Sequence, residues 1–105
     1  MEITQEQLEH VRQHLRVDGH EEDELIRAYT AAAIDYAEKY CDGVFVTTLT
    51  PPDSEGVPPR EILFSPGIWS AILLIIGGWY SNRETAGRSV SKSADDILFH
   101  YRRWR

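Results

Sequence analysis

A chain of 105 residues, 42% hydrophobic and 27% charged, suffices for one small domain over 1–105 with a modest core, and is too apolar for a disordered chain. Its one cysteine, Cys41, excludes an internal disulfide and a cysteine-built zinc site and fits a reducing, intracellular setting. The formal charge of −6 argues against a free duplex-binding module, which would carry a basic balance.

The polar, acidic start shows no signal-peptide pattern. Ile3, Thr4, Gln7 and Leu8 form a helix-start signature: Thr4 caps, Gln7 reaches back, and Ile3 staples to Leu8. Leu8, Val11 and Leu15 then make a narrow apolar stripe. This first helix should end near Arg16, with Val17 tucked inward and Asp18-Gly19 turning the chain.

Asp18 is the expected cap of a second helix, whose positive end gathers Glu21, Glu22, Asp23 and Glu24. That acidic run lacks the alternating ligands and mid-loop glycine of a calcium loop, so no metal is assigned to it. Leu25, Tyr29, Ala32, Ala33, Tyr36 and Tyr40 read as the apolar face. Cys41 reads as a buried, inert thiol, and Gly43 is expected to close the helix.

Residues 44–50 are β-prone and are followed by Pro51, Pro52, Gly56, Pro58 and Pro59 before an extended stretch at 61–64. A short β-hairpin or an extended loop over 44–64 is expected. Long connections of this kind are often functional, so the segment is expected to touch a partner.

The most apolar stretch is 64–84, FSPGIWSAILLIIGGWYSNRE, in which the thirteen residues 68–80 carry no charge. Crossing a bilayer takes roughly 20 apolar residues, so this reads as a buried central helix. Ser65 caps it, Pro66 suits its first position, and Phe64 and Trp69 stand at the staple positions. Trp69, Ile72, Leu73, Ile76 and Tyr80 share one face while Ile68, Leu74 and Ile75 point elsewhere, so the helix needs cover on more than one side. Gly77 and Gly78 suit close approach of another backbone, within the chain or from a second subunit.

Residues 85–93 are small and polar and read as a hinge. Ser93 is the expected cap of a last helix with Asp95 and Asp96 in its first turn and Ile97, Leu98 and Tyr101 on its buried side. The fold class is therefore mainly α, a small bundle of about four helices around a central apolar helix.

No phosphate loop, nucleophile elbow or cysteine–histidine set is present, and no enzyme activity or cofactor is read from the chain. His10 and His14 stand four apart with Glu6 one turn earlier. Without further ligands they read as exposed histidines rather than a metal site. Residues 1–61 hold 14 acidic and 5 basic side chains and residues 62–105 hold 3 and 6, so the halves are −9 and +3. Such opposed ends suit head-to-tail association, or otherwise a solvated acidic face with a short basic tail. Arg102, Arg103 and Arg105, around Trp104, are candidate partner-contacting residues that fit an acidic protein surface. A small DNA-binding accessory protein using this basic tail is the alternative.

The order of these features resembles the small head-tail connector (head completion or adaptor) proteins of long-tailed bacteriophages. The matching pieces are HLRVD at 14–18, DELI at 23–26, the alanine- and tyrosine-bearing helix through Tyr40, AILLIIGGWYSNRE at 71–84 and ILFHYR at 97–102. The resemblance implies a virion protein without catalysis or cofactor, assembled in the host cytoplasm. It implies a homo-oligomeric ring that docks beneath the portal protein, meets tail or stopper proteins, and passes DNA through its channel without sequence-specific binding or membrane contact.

Trp79, Tyr80, Arg83 and Glu84 match the family's motif and are candidate interface or helix-end residues, with plain packing as the other reading. Glu21, Glu22, Asp23 and Glu24 are candidate channel-lining residues that would keep DNA from sticking. The sequence departs from the family's pattern in its proline-rich insertion at 44–59 and in SVSKS at 89–93. The segments 44–59 and 85–93 are expected to become ordered on assembly.

Overall fold

Helix ends follow from local chemistry. The structure, a computed structural model, describes residues 3–49, 60–81 and 92–101. Helix α1 spans Gln5–Leu15 behind a complete capping box: the Gln7 amide donates to Thr4 Oγ1 at 3.1 Å, and the Thr4 amide to Gln7 Oε1 at 2.9 Å. Arg16 closes it in the left-handed region at φ 60°, and Val17 packs partly buried against the core.

Helix α2 spans Asp23–Cys41, a start later than the sequence suggested. Asp18 is not its cap. Glu22 holds that position without a side-chain cap bond, its carboxylate accepting instead from the Tyr80 hydroxyl, and the carbonyls of Asp18 and Gly19 accept from Arg12. The buried stripe is Ile26, Thr30, Ala33, Ile34, Ala37 and Cys41, one step round from the expected face. Tyr29, Tyr36 and Tyr40 flank it half-buried, as amphipathic rings do when their hydroxyls need polar partners. Thr30 is tolerated inside because its hydroxyl donates to the Ile26 carbonyl at 2.7 Å.

Gly43 does not supply the left-handed closure either. Asp42 does, at φ 58°, a conformation Asp tolerates better than most residues. Gly43 serves the next element: a Cβ there would stand 2.9 Å from the Arg60 carbonyl and 2.8 Å from Ile62 Cδ1.

Strands β1 (Val44–Val46) and β2 (Glu61–Leu63) pair in parallel, Phe45 opposite Ile62. A hairpin would be antiparallel, so the hairpin reading is corrected. The 14 residues between the strands suffice for the long return that a parallel pair requires. Phe45 and Ile62 both enter the core.

Helix α3 spans Pro66–Ser81. The Ile68 amide donates to Ser65 Oγ at 3.4 Å, and the Phe64 and Trp69 rings meet edge-on at 6.1 Å, so cap and staple both form. Its buried residues are Ile68, Ala71, Ile72, Ile75, Ile76 and Trp79. Ile68 and Ile75, expected to point away from the main face, are therefore core. Each large aliphatic side chain taken from water contributes about 1.5–3 kcal/mol, which makes α3 the main hydrophobic contributor.

Helix α4 spans Lys92–Phe99, with Ser93 inside it rather than capping it. Ala94 and Leu98 are its buried residues, while Ile97 and Tyr101 pack partly buried. Among the described residues, then, four helices and two short strands form one core, with α3 touching α1, α2 and α4. Arg83, Glu84, Arg102, Arg103 and Arg105 lie outside the described residues, as do most of the insertion and the expected hinge.

Candidate functional site

The two described members of the expected helix-end motif meet the acidic turn. Trp79 is 5% exposed and its ring stands edge-on to Tyr29 at 6.5 Å. Tyr80, next along, donates its hydroxyl to Glu22 Oε2. The last turns of α3 are thereby fastened to the beginning of α2.

The same turn is held from α1 by Arg12, a residue that sequence reasoning missed. Its guanidinium is almost fully buried, and both Nη atoms are hydrogen-bonded while Nε makes an ion-pair approach without a hydrogen bond. Nη1 donates to both Glu9 oxygens at 3.0 and 2.9 Å, and Nη2 to the carbonyls of Asp18 and Gly19 at 3.2 and 2.7 Å. Nε stands 3.3 Å from Asp23 Oδ1, and His20 Nδ1 lies 3.1 Å from the other oxygen of that carboxylate. The planar fork of arginine suits this arrangement, which a lysine could not reproduce. The motif HLRVD draws the eye to 14–18, yet the side chain that organises the turn precedes it.

Of the four candidate channel-lining carboxylates, Glu22 and Asp23 are thus committed to Tyr80 and to Arg12 and His20. Glu21 and Glu24 are exposed. The structure brings Tyr80 together with Glu22 and leaves the outer pair to solvent.

A second missed arginine, Arg60, ends the proline-rich insertion. It donates to the carbonyls of Cys41 at 2.5 Å and Tyr101 at 3.0 Å, clamping the negative end of α2 to the turn two residues beyond α4. Cys41 itself is buried, its thiol 3.6 Å from the Leu98 carbonyl. On the outer side of α2, Tyr36 donates to Asp95 Oδ1 at 2.9 Å, joining α2 to α4. Burial first, then the Asp95 hydrogen bond and charge, push the Tyr36 hydroxyl up from 10.0 to about 12.

His10 and His14 have separate neighbours. The Trp69 indole N–H donates to His10 Nδ1 at 2.9 Å, and His14 Nε2 lies 3.3 Å from where a Gly77 Cβ would stand. Beside His10, between α1 and the start of α3, opens a groove of about 660 Å³ with Glu6 and Glu9 on one wall and Phe64, Pro66 and Trp69 beneath. At the far end of α3, Leu74, Gly77 and Gly78 share a surface with His14, Arg16 and Ser81. Leu74 is 37% exposed, and a Cβ added at Gly78 would meet nothing within 4 Å among the described residues.

Among the described residues, no group of three His, Cys, Asp or Glu side chains is placed to hold a metal, and no helix is long and apolar enough to cross a membrane. A family model described as phage gp6-like head-tail connector protein matches residues 5–104. No curated protein and no solved structure matches the chain.

Proposed function

Because the chain belongs to the phage gp6-like head-tail connector family, a structural family of the bacteriophage virion, we propose that it forms a ring of identical subunits between portal and tail. In this reading the ring docks beneath the portal protein, receives tail or stopper proteins on its other side, and extends the channel through which the genome passes.

The observation that carries the reading is the open side of α3. The most apolar helix of a small domain leaves Leu74 37% exposed and Gly78 uncovered among the described residues. A second copy laid against that side would bury the leucine and bring its backbone close to the glycine. The charge halves of −9 and +3 favour a heterologous contact, in which one surface meets a different surface on the next copy and the rotation closes.

Within such a ring the acidic turn of Glu21, Glu22, Asp23 and Glu24 faces the lumen. Glu21 and Glu24 supply exposed charge that repels phosphate, while Glu22 and Asp23 keep the turn rigid. Trp79 and Tyr80 set the end of α3 at the subunit boundary, and Arg83 and Glu84 belong to the same boundary. Electron microscopy of the chain bound to its portal tests this. The reading requires a closed ring with Glu21 and Glu24 lining the bore; a ring with those side chains on its outer rim would overturn the assignment.

A further inference from the structure

The two ends of the α1–α3 pair carry surfaces of opposite character. At one end, between α1 and the start of α3, lies the groove of about 660 Å³, and none of its described lining residues is lysine or arginine. Glu9 shares its charge with Arg12, but Glu6 is exposed and its carboxylate has no ion pair or hydrogen bond among the described residues. Phe64, Pro66 and Trp69 form the floor. The Trp69 indole N–H is spent on His10, so the ring offers its face. A carboxylate over an aromatic and proline floor suits a guanidinium with an aliphatic side chain beside it, because arginine pairs with carboxylate through its fork and stacks on aromatic rings.

At the other end, the corner that holds His14, Arg16, Leu74, Gly77 and Gly78 has the complementary set, and none of its described lining residues is Asp or Glu. Arg16 stands exposed at the left-handed closure of α1, and its guanidinium has no ion pair or hydrogen bond among the described residues. Leu74 beside it is 37% exposed. Within one chain the two surfaces stay apart: Glu6 and Arg16 are ten residues apart in sequence, about 15 Å at the helical rise, beyond the reach of one arginine side chain. They can meet only between copies.

We propose, on the ring reading above, that the Arg16–Leu74 corner of one copy seats in the α1–α3 groove of the next, Arg16 against Glu6 and over the Trp69 ring, Leu74 against Phe64 and Pro66. The neighbour thus completes the groove, and the contact joins two different surfaces, as a heterologous ring requires. Until closure, the two terminal copies keep one free groove and one free corner between them.

The test is molar mass by light scattering across protein concentration at low salt, alone and with the portal, for the unsubstituted chain, Glu6→Arg, Arg16→Glu, the double variant and an equal mixture of the two single variants. Both positions are exposed, and circular dichroism checks that each variant keeps its helices. Each single variant sets like charges against each other and should raise the concentration needed for assembly about tenfold or more. The double variant and the mixture restore opposite charges across the contact and should recover assembly. Single variants that assemble as readily as the unsubstituted chain would overturn the proposal while leaving the ring reading intact, since the ring would then close through another surface. Losses that neither the double variant nor the mixture recovers would overturn it too, as would a species that stops at two copies. A strict monomer for the unsubstituted chain, both alone and with the portal, would overturn the ring reading and this contact with it.

Discussion

Tyr80 donates its hydroxyl to Glu22, fastening the last turn of the central helix to the cap of α2. One hydrogen bond therefore joins a residue of the WYSNRE motif to a residue of the acidic turn. Tyr80→Phe removes this donor from the half-buried carboxylate. A loss of about 1.5–3 kcal/mol in the free subunit is expected, the range for a hydrogen bond to a charged group. Urea unfolding followed by circular dichroism measures it, with an unchanged slope showing that compactness is kept.

Arg12 should matter more. It reaches two carboxylates and two carbonyls from a buried position. Arg12→Ala leaves Asp23 and the turn carbonyls facing a void and is expected to cost about 3–5 kcal/mol, the range for breaking a buried pair. Arg12→Lys should recover only a small part, because one ammonium cannot replace the fork. Thermal melts of the three proteins decide the order.

Tyr36 gives the protein an alkaline limit. Its hydroxyl ionises near 12 in the folded chain against 10.0 when unconstrained. The folded state therefore holds the proton more tightly than the unfolded state does. The Tyr36 contribution is fully present below pH 10, declines as pH rises beyond it, and is gone above 12. Tyr36→Phe should flatten the stability profile in that window, read from denaturation midpoints across alkaline pH.

Three glycines should respond differently to alanine. At Gly43 the new Cβ would press on the Arg60 carbonyl and force β1 and β2 apart, so destabilisation is expected. At Gly77 only a His14 side chain has to give. At Gly78 no described residue stands within reach of the new Cβ, and Gly78→Ala should stabilise the free subunit by about 1 kcal/mol through helix propensity. If a neighbouring copy packs there, the same change weakens assembly. A variant more stable alone and poorer in assembly is the expected signature, checked by unfolding and by sedimentation.

The parts legible in the sequence were those written within a few residues: the Thr4–Gln7 box, the Ser65–Pro66 start, the Phe64–Trp69 staple. Faces were less legible. Counting tyrosines as core turned the α2 stripe by one step, because periodicity does not distinguish a ring that enters the core from one that flanks it with its hydroxyl outside. The parallel pairing of β1 with β2 is non-local and leaves no signature beyond the length of the insertion. Arg12 and Arg60 were not legible because long basic side chains read as surface, while the carbonyls they hold, those of Asp18, Gly19, Cys41 and Tyr101, leave no mark in composition. Asp42 took the left-handed position expected of Gly43, since the glycine was needed one residue later for strand approach.

The central claim is that this chain completes itself by packing against copies of itself. Its most direct test is molar mass by light scattering, from dilute to near-millimolar protein at low and moderate salt, alone and mixed with the portal, beside a Leu74→Asp variant. The account predicts a discrete large species for the unsubstituted chain, weakened by salt and lost in Leu74→Asp while the variant's fold is retained. A strict monomer at every concentration, both alone and with the portal, would contradict it.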